Sequence, residues 1–331
     1  MRTGGIARAV LTALGVLLLA YVVYSTGPGR LWEQISSLGP WLPVILVISS
    51  TWFVLNTLGW RAAFEPVPGR EPVPLLSLLR VHLVSEAISN VTPLLSLGGE
   101  PLKVVLLRRW RSAEELTASV INDNVVHLTS AAAFMLLGVV LGQDSLAVDR
   151  ATLRLLWLFV AAIGLGTLLL LTGARFALVS KLTALGAALR PSSTRMASLV
   201  QRAAMVDVLV ARFVTKRAPS FALSFAFHVG GRLMGAVEAW VILRAAGVSA
   251  SFGAAVFVIA VVHVMVNLVF SFVSGQWGVQ ETAASLLFGA MGLDPSLGVA
   301  VMLTRRIRGL FWIAVGLVLL GRDRSLERTT R

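Results

Sequence analysis

Several polar residues stand where the surrounding sequence is apolar, and their types set the chemistry open to the chain. In the stretch 90–110, NVTPLLSLGGEPLKVVLLRRW, Asn90, Glu100 and Lys103 interrupt leucines and valines, with Pro93 and the pair Gly98 and Gly99 between them. Asn122, Asp123 and Asn124 fall inside one later apolar run, and Arg305, Arg306 and Arg308 inside the last. Asn267, Gln276, Gly278 and Glu281 mark a second interrupted stretch, which contains SGQWGVQE at 274–281. At about 1.5 Å per residue, the Asp123 and Arg305 groups lie roughly 15 Å from their helix ends, mid-depth in a hydrocarbon layer of about 30 Å. Carboxylates there pair with cations or take part in proton exchange, and ionisable groups at that depth are functional-site hypotheses by default. Arg305 and Arg308 share a helix face, with Asp123, Glu100, Glu281 and Glu238 as the available partners. An ion-pair network that fixes helix packing is one reading. A cationic pocket is the sharper one, because three arginines within four residues exceed what one packing contact requires and the planar guanidinium suits phosphate.

The elements that would hold these groups follow from the breaks. Pro93 ends the helix before it, Gly98 and Gly99 allow a tight reversal or close backbone approach, and Glu100-Pro101 opens a new helix. Broken backbone at membrane depth is tolerated only where it is buried in protein or lines a cavity. The stretch therefore reads as a re-entrant hairpin lining a site, with the N–H groups of the new helix available to an anion.

Composition sets the class. The 331 residues are 56% hydrophobic and 14% charged, with a mean hydropathy of +0.83 and several apolar runs long enough to span a bilayer. A net charge of +13 raises nucleic acid as a partner, but the basic residues cluster beside apolar spans, so the membrane surface is the better partner and nucleic acid is not expected. With no cysteine, disulfide and thiolate chemistry are excluded.

In chain order, a short basic head precedes an apolar run at 6–24, read as a first span against the alternative of a cleaved signal peptide. A second span lies at 42–64, with Trp41, Trp52 and Trp60 as interface anchors. After a Pro/Gly-rich loop at 66–74, the run 75–92 enters the hairpin, which returns to Arg108, Arg109 and Arg111. Further spans lie at 113–142, 152–173, 221–246 and 295–320. The basic segment 174–218 reads as two amphipathic helices broken at 191–193 on an anionic surface, or as a solvated linker.

The two halves, 41–142 and 219–321, resemble each other. Each has a span, an apolar arm carrying an Asn, a Gly-broken elbow ending in Glu100 or Glu281, a return helix and a last span. Interrupted segments in corresponding places point to a transporter-type site. Placing most of the 29 lysines and arginines on the cytoplasmic side requires the first hairpin to enter from there and the second, 252–290, from outside. The expected fold is all-α and polytopic: one integral membrane domain over 1–331, six full spans and two opposed re-entrant hairpins in an inverted repeat, with both termini cytoplasmic.

Catalytic signatures are absent. His82, His127, His228 and His263 have no metal spacing and read as packing or hydrogen-bonding residues, and there is no H-E-x-x-H, Walker loop or G-x-S-x-G elbow. No cofactor, metal or catalytic residue is expected. The elbow glutamates with Asp123 keep an intramembrane lipid-modifying transferase open, and a noncatalytic scaffold of a lipid-biosynthesis complex is the third reading.

The segments LLSLGGEPLKVVLLRR, the NDN of the next span, SGQWGVQE and the arginine-bearing last span resemble the transmembrane domain of the lysylphosphatidylglycerol synthetase-like flippase family. Within it, the likeness is to membrane proteins associated with hopanoid biosynthesis. Family members commonly read P-G-G-x-G-x-x-E at the second elbow; here Ser274-Gly275-Gln276-Trp277 replaces its start, with Gln276 departing, while Gly278 and Glu281 match. The soluble aminoacyl-transfer domain that gives the family its name is not expected after Arg331. The resemblance implies a flippase-like protein of the bacterial cell membrane that moves or presents a phosphate-bearing or other polar-headed lipid, of isoprenoid or hopanoid type among others. Its partners would be membrane lipids and lipid-biosynthesis enzymes, and its headgroup cavity would involve Asn90, Gly98, Gly99, Glu100, Lys103, Asp123, Asn267, Gln276, Gly278, Glu281, Arg305, Arg306 and Arg308.

Overall fold

In the computed structural model, residues 17, 24, 28–39, 41–91, 99–142, 150–173, 176–177, 180–181, 183–185, 194–265 and 279–322 are described. The run 6–24 as a whole, the loop 143–149 and the break at 191–193 lie outside them, as do Gly98, Asn267, Gln276 and Gly278. The described chain is all helix: α1 Pro28–Leu38, α2 Trp41–Ala63, α3 Leu75–Val91, α4 Glu100–Leu107, α5 Ala113–Gly142, α6 Arg150–Gly173, α7 Thr194–Lys216, α8 Ala218–Ala245, α9 Phe252–Val258, a π-helical continuation Ile259–Met265, α10 Val279–Ala290 and α11 Pro295–Gly321. By length and composition α2, α5 and the 150–169 part of α6 can cross a bilayer. The long helices α8 and α11 carry interior charge, which lowers their hydropathy without shortening them. The protein is an all-α polytopic membrane protein.

Local sequence explains the boundaries. Ser112 and Glu115 form a reciprocal capping box at the start of α5: the Glu115 N–H donates to Ser112 Oγ and the Ser112 N–H to Glu115 Oε2. At α11 the Asp294 side chain accepts from the Ser296 N–H, and Pro295 follows the cap, where a missing N–H costs nothing.

Two apolar cores lie at opposite ends of the bundle, one built around α3 and α4 and the other around α9 and α10. One packs α3 and α4 (Leu78, Val81, Val84, Leu106) against the end of α2 (Trp60), the start of α5 (Leu116, Val120) and the end of α11 (Leu317, Leu320). The other packs α9 and α10 (Phe257, Phe288) against the start of α2 (Ile45), the end of α5 (Phe134, Val139) and the start of α11 (Val301). Arg111, just past α4, donates to the Glu71 carbonyl just before α3, so the first hairpin enters and leaves at one end.

The packing of the halves is reciprocal in detail. Added Cβ atoms at Gly138 on α5 would run into Ala260 and press on the Val256 carbonyl, while at Gly316 on α11 they would run into Ala87 and the Leu83 carbonyl. Leu83 and Ala87 are four residues apart on one arm, as Val256 and Ala260 are on the other. Between α2 and α8, Gly59 lies under His228 and Gly231 under Asn56, each glycine three residues after the polar residue on its own helix. Small residues let helices approach closely where lipid supplies no hydrophobic drive.

Two expectations change. Trp60 is fully buried, not an interface anchor: its indole N–H donates to Ser119 Oγ and its face lies 5.1 Å from Lys103 Nζ. The described part of the basic segment is not a solvated linker. In α7, Val206, Val210 and Phe213 are buried, the first two against Ala118 of α5 and the last with Ala63 and Val126. Arg212 and Arg217 hold Glu65, and Arg202 holds Glu114. The apolar stripe of α7 had a protein surface to cover.

Candidate functional site

Between the two cores lies a layer of charge, near the middle of α5, α8 and α11. The elbow of the first hairpin delivers two of its members. Gly99 donates its N–H to Ser89 Oγ, and a Cβ there would collide with the Ser85 carbonyl. Its φ is −85°, so the glycine serves close backbone approach and not a left-handed turn. That contact seats α4 against α3 and points Glu100 and Lys103 inward.

Lys103 is a buried hub. Its Nζ lies 3.0 Å from Glu100 and 3.8 Å from Asp123 Oδ2. Asp123 Oδ1 is 3.2 Å from His228 Nε2, and His228 Nδ1 lies 2.8 Å from the Ser224 carbonyl. A carbonyl only accepts, so Nδ1 carries a proton. Thr57 and His82 extend the buried polar chain, 3.0 Å apart.

The arginines of α11 are paired, but not with Asp123. Arg305 reaches Glu238 at 2.7 Å and the Gly235 carbonyl at 3.3 Å, Arg308 reaches the same Glu238 oxygen at 3.2 Å, and Arg306 reaches Glu281 at 2.6 Å. Lys103 already occupies the Asp123 side of the bundle. Glu238 on α8 sits across from α11 and is almost wholly buried, as a shared counter-ion for two guanidinium groups must be. Asn90 is exposed and its amide donates back to the carbonyl and carboxylate of Glu86, whose charged surroundings include Lys103, Glu100 and Arg308.

The structure thus brings Glu100, Lys103 and Asp123 into one cluster with Gly99 beneath it, and Glu281, Arg305, Arg306 and Arg308 into two ion-pair groups. His228, read as a packing or hydrogen-bonding residue, is hydrogen-bonded and lies in this cluster, and two charged members, Glu86 and Arg232, were missed in the sequence. The signal for Arg232 was available, since it is a basic residue at the middle of a 28-residue apolar helix.

One face of this layer is open. Asn124 and His127, one turn apart at the middle of the 30-residue α5, are exposed, with partly exposed Glu100 and Arg232 beside them. Asn124 Nδ2 contacts Glu100 at 3.5 Å, Arg232 donates to the His127 carbonyl, and the His127 and His228 rings meet edge to face. The surface pocket lined by Ser77, Arg80 and Arg109 sits at the charged end of the first hairpin, away from this strip. Among the described residues, no group of His, Asp and Glu has metal-ligand placement.

The residues of this charged layer fall within the region matched by the family model for the lysylphosphatidylglycerol synthase TM region, which spans residues 6–316. The chain belongs to that family. It is also similar to a UPF0104 membrane protein of Methanothermobacter thermautotrophicus, 32% identical over 122 residues. That match covers 35% of this chain and 34% of the relative, so about a third of the relative's length is spanned. No solved structure matches.

Proposed function

We propose that the protein is a flippase-like carrier that moves or presents a polar-headed lipid across the bilayer. The observation that carries this reading is the open polar strip of Glu100, Asn124, His127 and Arg232 at the mid-length of α5 and α8, beside a buried ion network. A helix facing only acyl chains would carry leucine at those positions, and ionisable groups within spanning helices face bundle interiors or wet cavities. A path open to polar groups at half depth is what a headgroup needs to cross hydrocarbon. Family membership supports a lipid as the ligand. The matches name no hopanoid, so an isoprenoid- or hopanoid-related tail belongs to the same proposal.

The test is reconstitution of the purified full chain into liposomes with fluorescent headgroup-labelled lipids, read by dithionite quenching, together with mass spectrometry of co-purified lipid. Accelerated loss of the protected inner-leaflet signal, abolished by Asp123→Asn or Lys103→Met, supports the proposal. No acceleration with any polar lipid refutes it. A covalently altered lipid in the same vesicles would make the protein a lipid-modifying transferase instead.

A further inference from the structure

Arg232 carries an inference that rests on the lipid-carrier reading and specifies its ligand. It projects from the middle of α8 and is partly buried. Its Nε donates to Ser130 Oγ at 3.2 Å and its Nη2 to the His127 carbonyl at 2.8 Å. Both acceptors are neutral, and both belong to α5. Among the described residues the remaining Nη1 has no hydrogen-bond acceptor and no carboxylate lies within ion-pairing distance. The other cations of the layer differ: Lys103 has Glu100 and Asp123, Arg305 and Arg308 have Glu238, and Arg306 has Glu281.

A guanidinium stays charged at any ordinary pH, and a cation at mid-depth without a counter-ion is costly. The two bonds to α5 fix the plane of the group without neutralising it. They occupy Nε and Nη2 and leave Nη1 free of these tethers, on a partly exposed side chain bonded to the stretch of α5 that also carries the exposed Asn124 and His127. That is the arrangement for a guest anion: an oriented donor pair, a retained positive charge and an opening. Planar forks favour the paired oxygens of a phosphate over a single point acceptor.

We propose that Arg232 is the anchor for the phosphate of the transported lipid, its free edge donating to the phosphate oxygens while Ser130 and the His127 carbonyl hold its plane. The ligand class is a phosphate-bearing lipid, and a neutral polar lipid lacks the group that completes the site.

The experiment uses phosphatidic acid and diacylglycerol with identical chains, which differ only in the phosphate, added to the detergent-purified full chain and followed by native mass spectrometry. The wild type should retain phosphatidic acid at least tenfold over diacylglycerol. Arg232→Gln should lose most of that preference, by about a factor of ten or more, as expected when a charge-assisted bond is removed. Arg232→Lys should recover it only in part. Melting temperatures of the unliganded variants are measured alongside, since a merely structural arginine would lower them and leave the preference intact. That result overturns the proposal, as does equal retention of phosphatidic acid by Arg232→Gln. Protection by millimolar inorganic phosphate with none from phosphatidic acid overturns the lipid as its source. Scrambling separates this inference from the carrier reading. A wild type that retains phosphatidic acid but scrambles nothing sinks the carrier alone, and an Arg232→Gln variant that scrambles phosphatidic acid normally sinks the anchor alone.

Discussion

Glu238 is the residue whose loss the structure predicts to be most damaging to folding. It is 1% exposed, and one of its oxygens takes bonds from both Arg305 and Arg308 at 2.7 and 3.2 Å. In Glu238→Gln the side-chain volume is retained but two buried guanidinium groups lose their counter-ion. Breaking a buried pair from one side costs about 3–5 kcal/mol, and two stranded cations place this variant at the upper end. Arg305→Gln is milder, because Arg308 still holds the carboxylate; the lost bond to a charged group gives about 1.5–3 kcal/mol. Arg308→Gln is milder again, since its contact is longer and its side chain more exposed, at 17% against 7% for Arg305. The order Glu238→Gln, Arg305→Gln, Arg308→Gln is thus set by how many charges each change strands. Thermal unfolding of the purified variants in one detergent, followed by tryptophan fluorescence, reads the order. The double variant Glu238→Gln with Arg305→Gln should be no worse than Glu238→Gln alone, a positive coupling that independent sites would not show. A Glu238→Gln protein that melts with the wild type, or a double variant whose losses add, refutes the shared counter-ion.

Other outcomes follow from the same contacts. Gly99→Val should cost about 1–3 kcal/mol by overpacking against the Ser85 carbonyl and abolish scrambling while the protein still inserts, read by membrane fractionation and liposome assay. Gly138→Leu and Gly316→Leu meet equivalent obstructions at opposite ends of the bundle, so their losses of melting temperature should be similar and close to additive. The chain has no cysteine, so single cysteines at the exposed Ser112 and Ser249 can be labelled unambiguously; they should react from opposite sides of the membrane, and labelling from one side would defeat the opposed-hairpin topology. Bonding to the backbone and side chain of Ser296 holds the Asp294 carboxyl below its usual range. A depressed folded value stabilises above the unfolded pKa of about 3.9 and is lost as pH falls through and below it, so the melting temperatures of wild type and Asp294→Asn should converge under acid.

The helices were legible because apolar runs in a membrane protein are long and their ends carry Pro, Gly and caps. The spans expected at 42–64, 113–142, 152–173, 221–246 and 295–320 coincide with α2, α5, α6, α8 and α11 to within about three residues, within the usual uncertainty of helix ends. The charged layer was legible from depth alone, because helical rise converts residue count into distance. Partner choice was not. Whether Arg305 meets Asp123 or Glu238 depends on which helices neighbour each other and how each is rotated, and a sequence without an alignment holds neither. Trp60 was misplaced for the same reason: tryptophan suits an interface on average, but here the first hairpin covers it. Gly99 was correctly singled out on a partly mistaken ground, since a glycine needed for contact and one needed for a positive φ look alike in sequence.

The scaffold repeats while its charges do not, and the difference points to one site per chain. Superposing the reciprocal contacts of α2 and α8 matches Asn56 to His228 and Gly59 to Gly231, so the next residues, Trp60 and Arg232, occupy equivalent backbone positions. In the first half that position carries an indole sealed in the core under Lys103. In the second it carries a guanidinium beside the open strip of α5. The elbows diverge likewise: Glu100 finds its cation on its own helix, and Glu281 finds Arg306 on the next. Duplicated backbone with two copies of a ligand site would have kept the same polar residues at both places. Instead, one half supplies packing where the other supplies an anchor, so native mass spectrometry of the phosphatidic acid complex should show a single retained lipid per chain, and two equivalent lipids lost together in Arg232→Gln would contradict that division of roles.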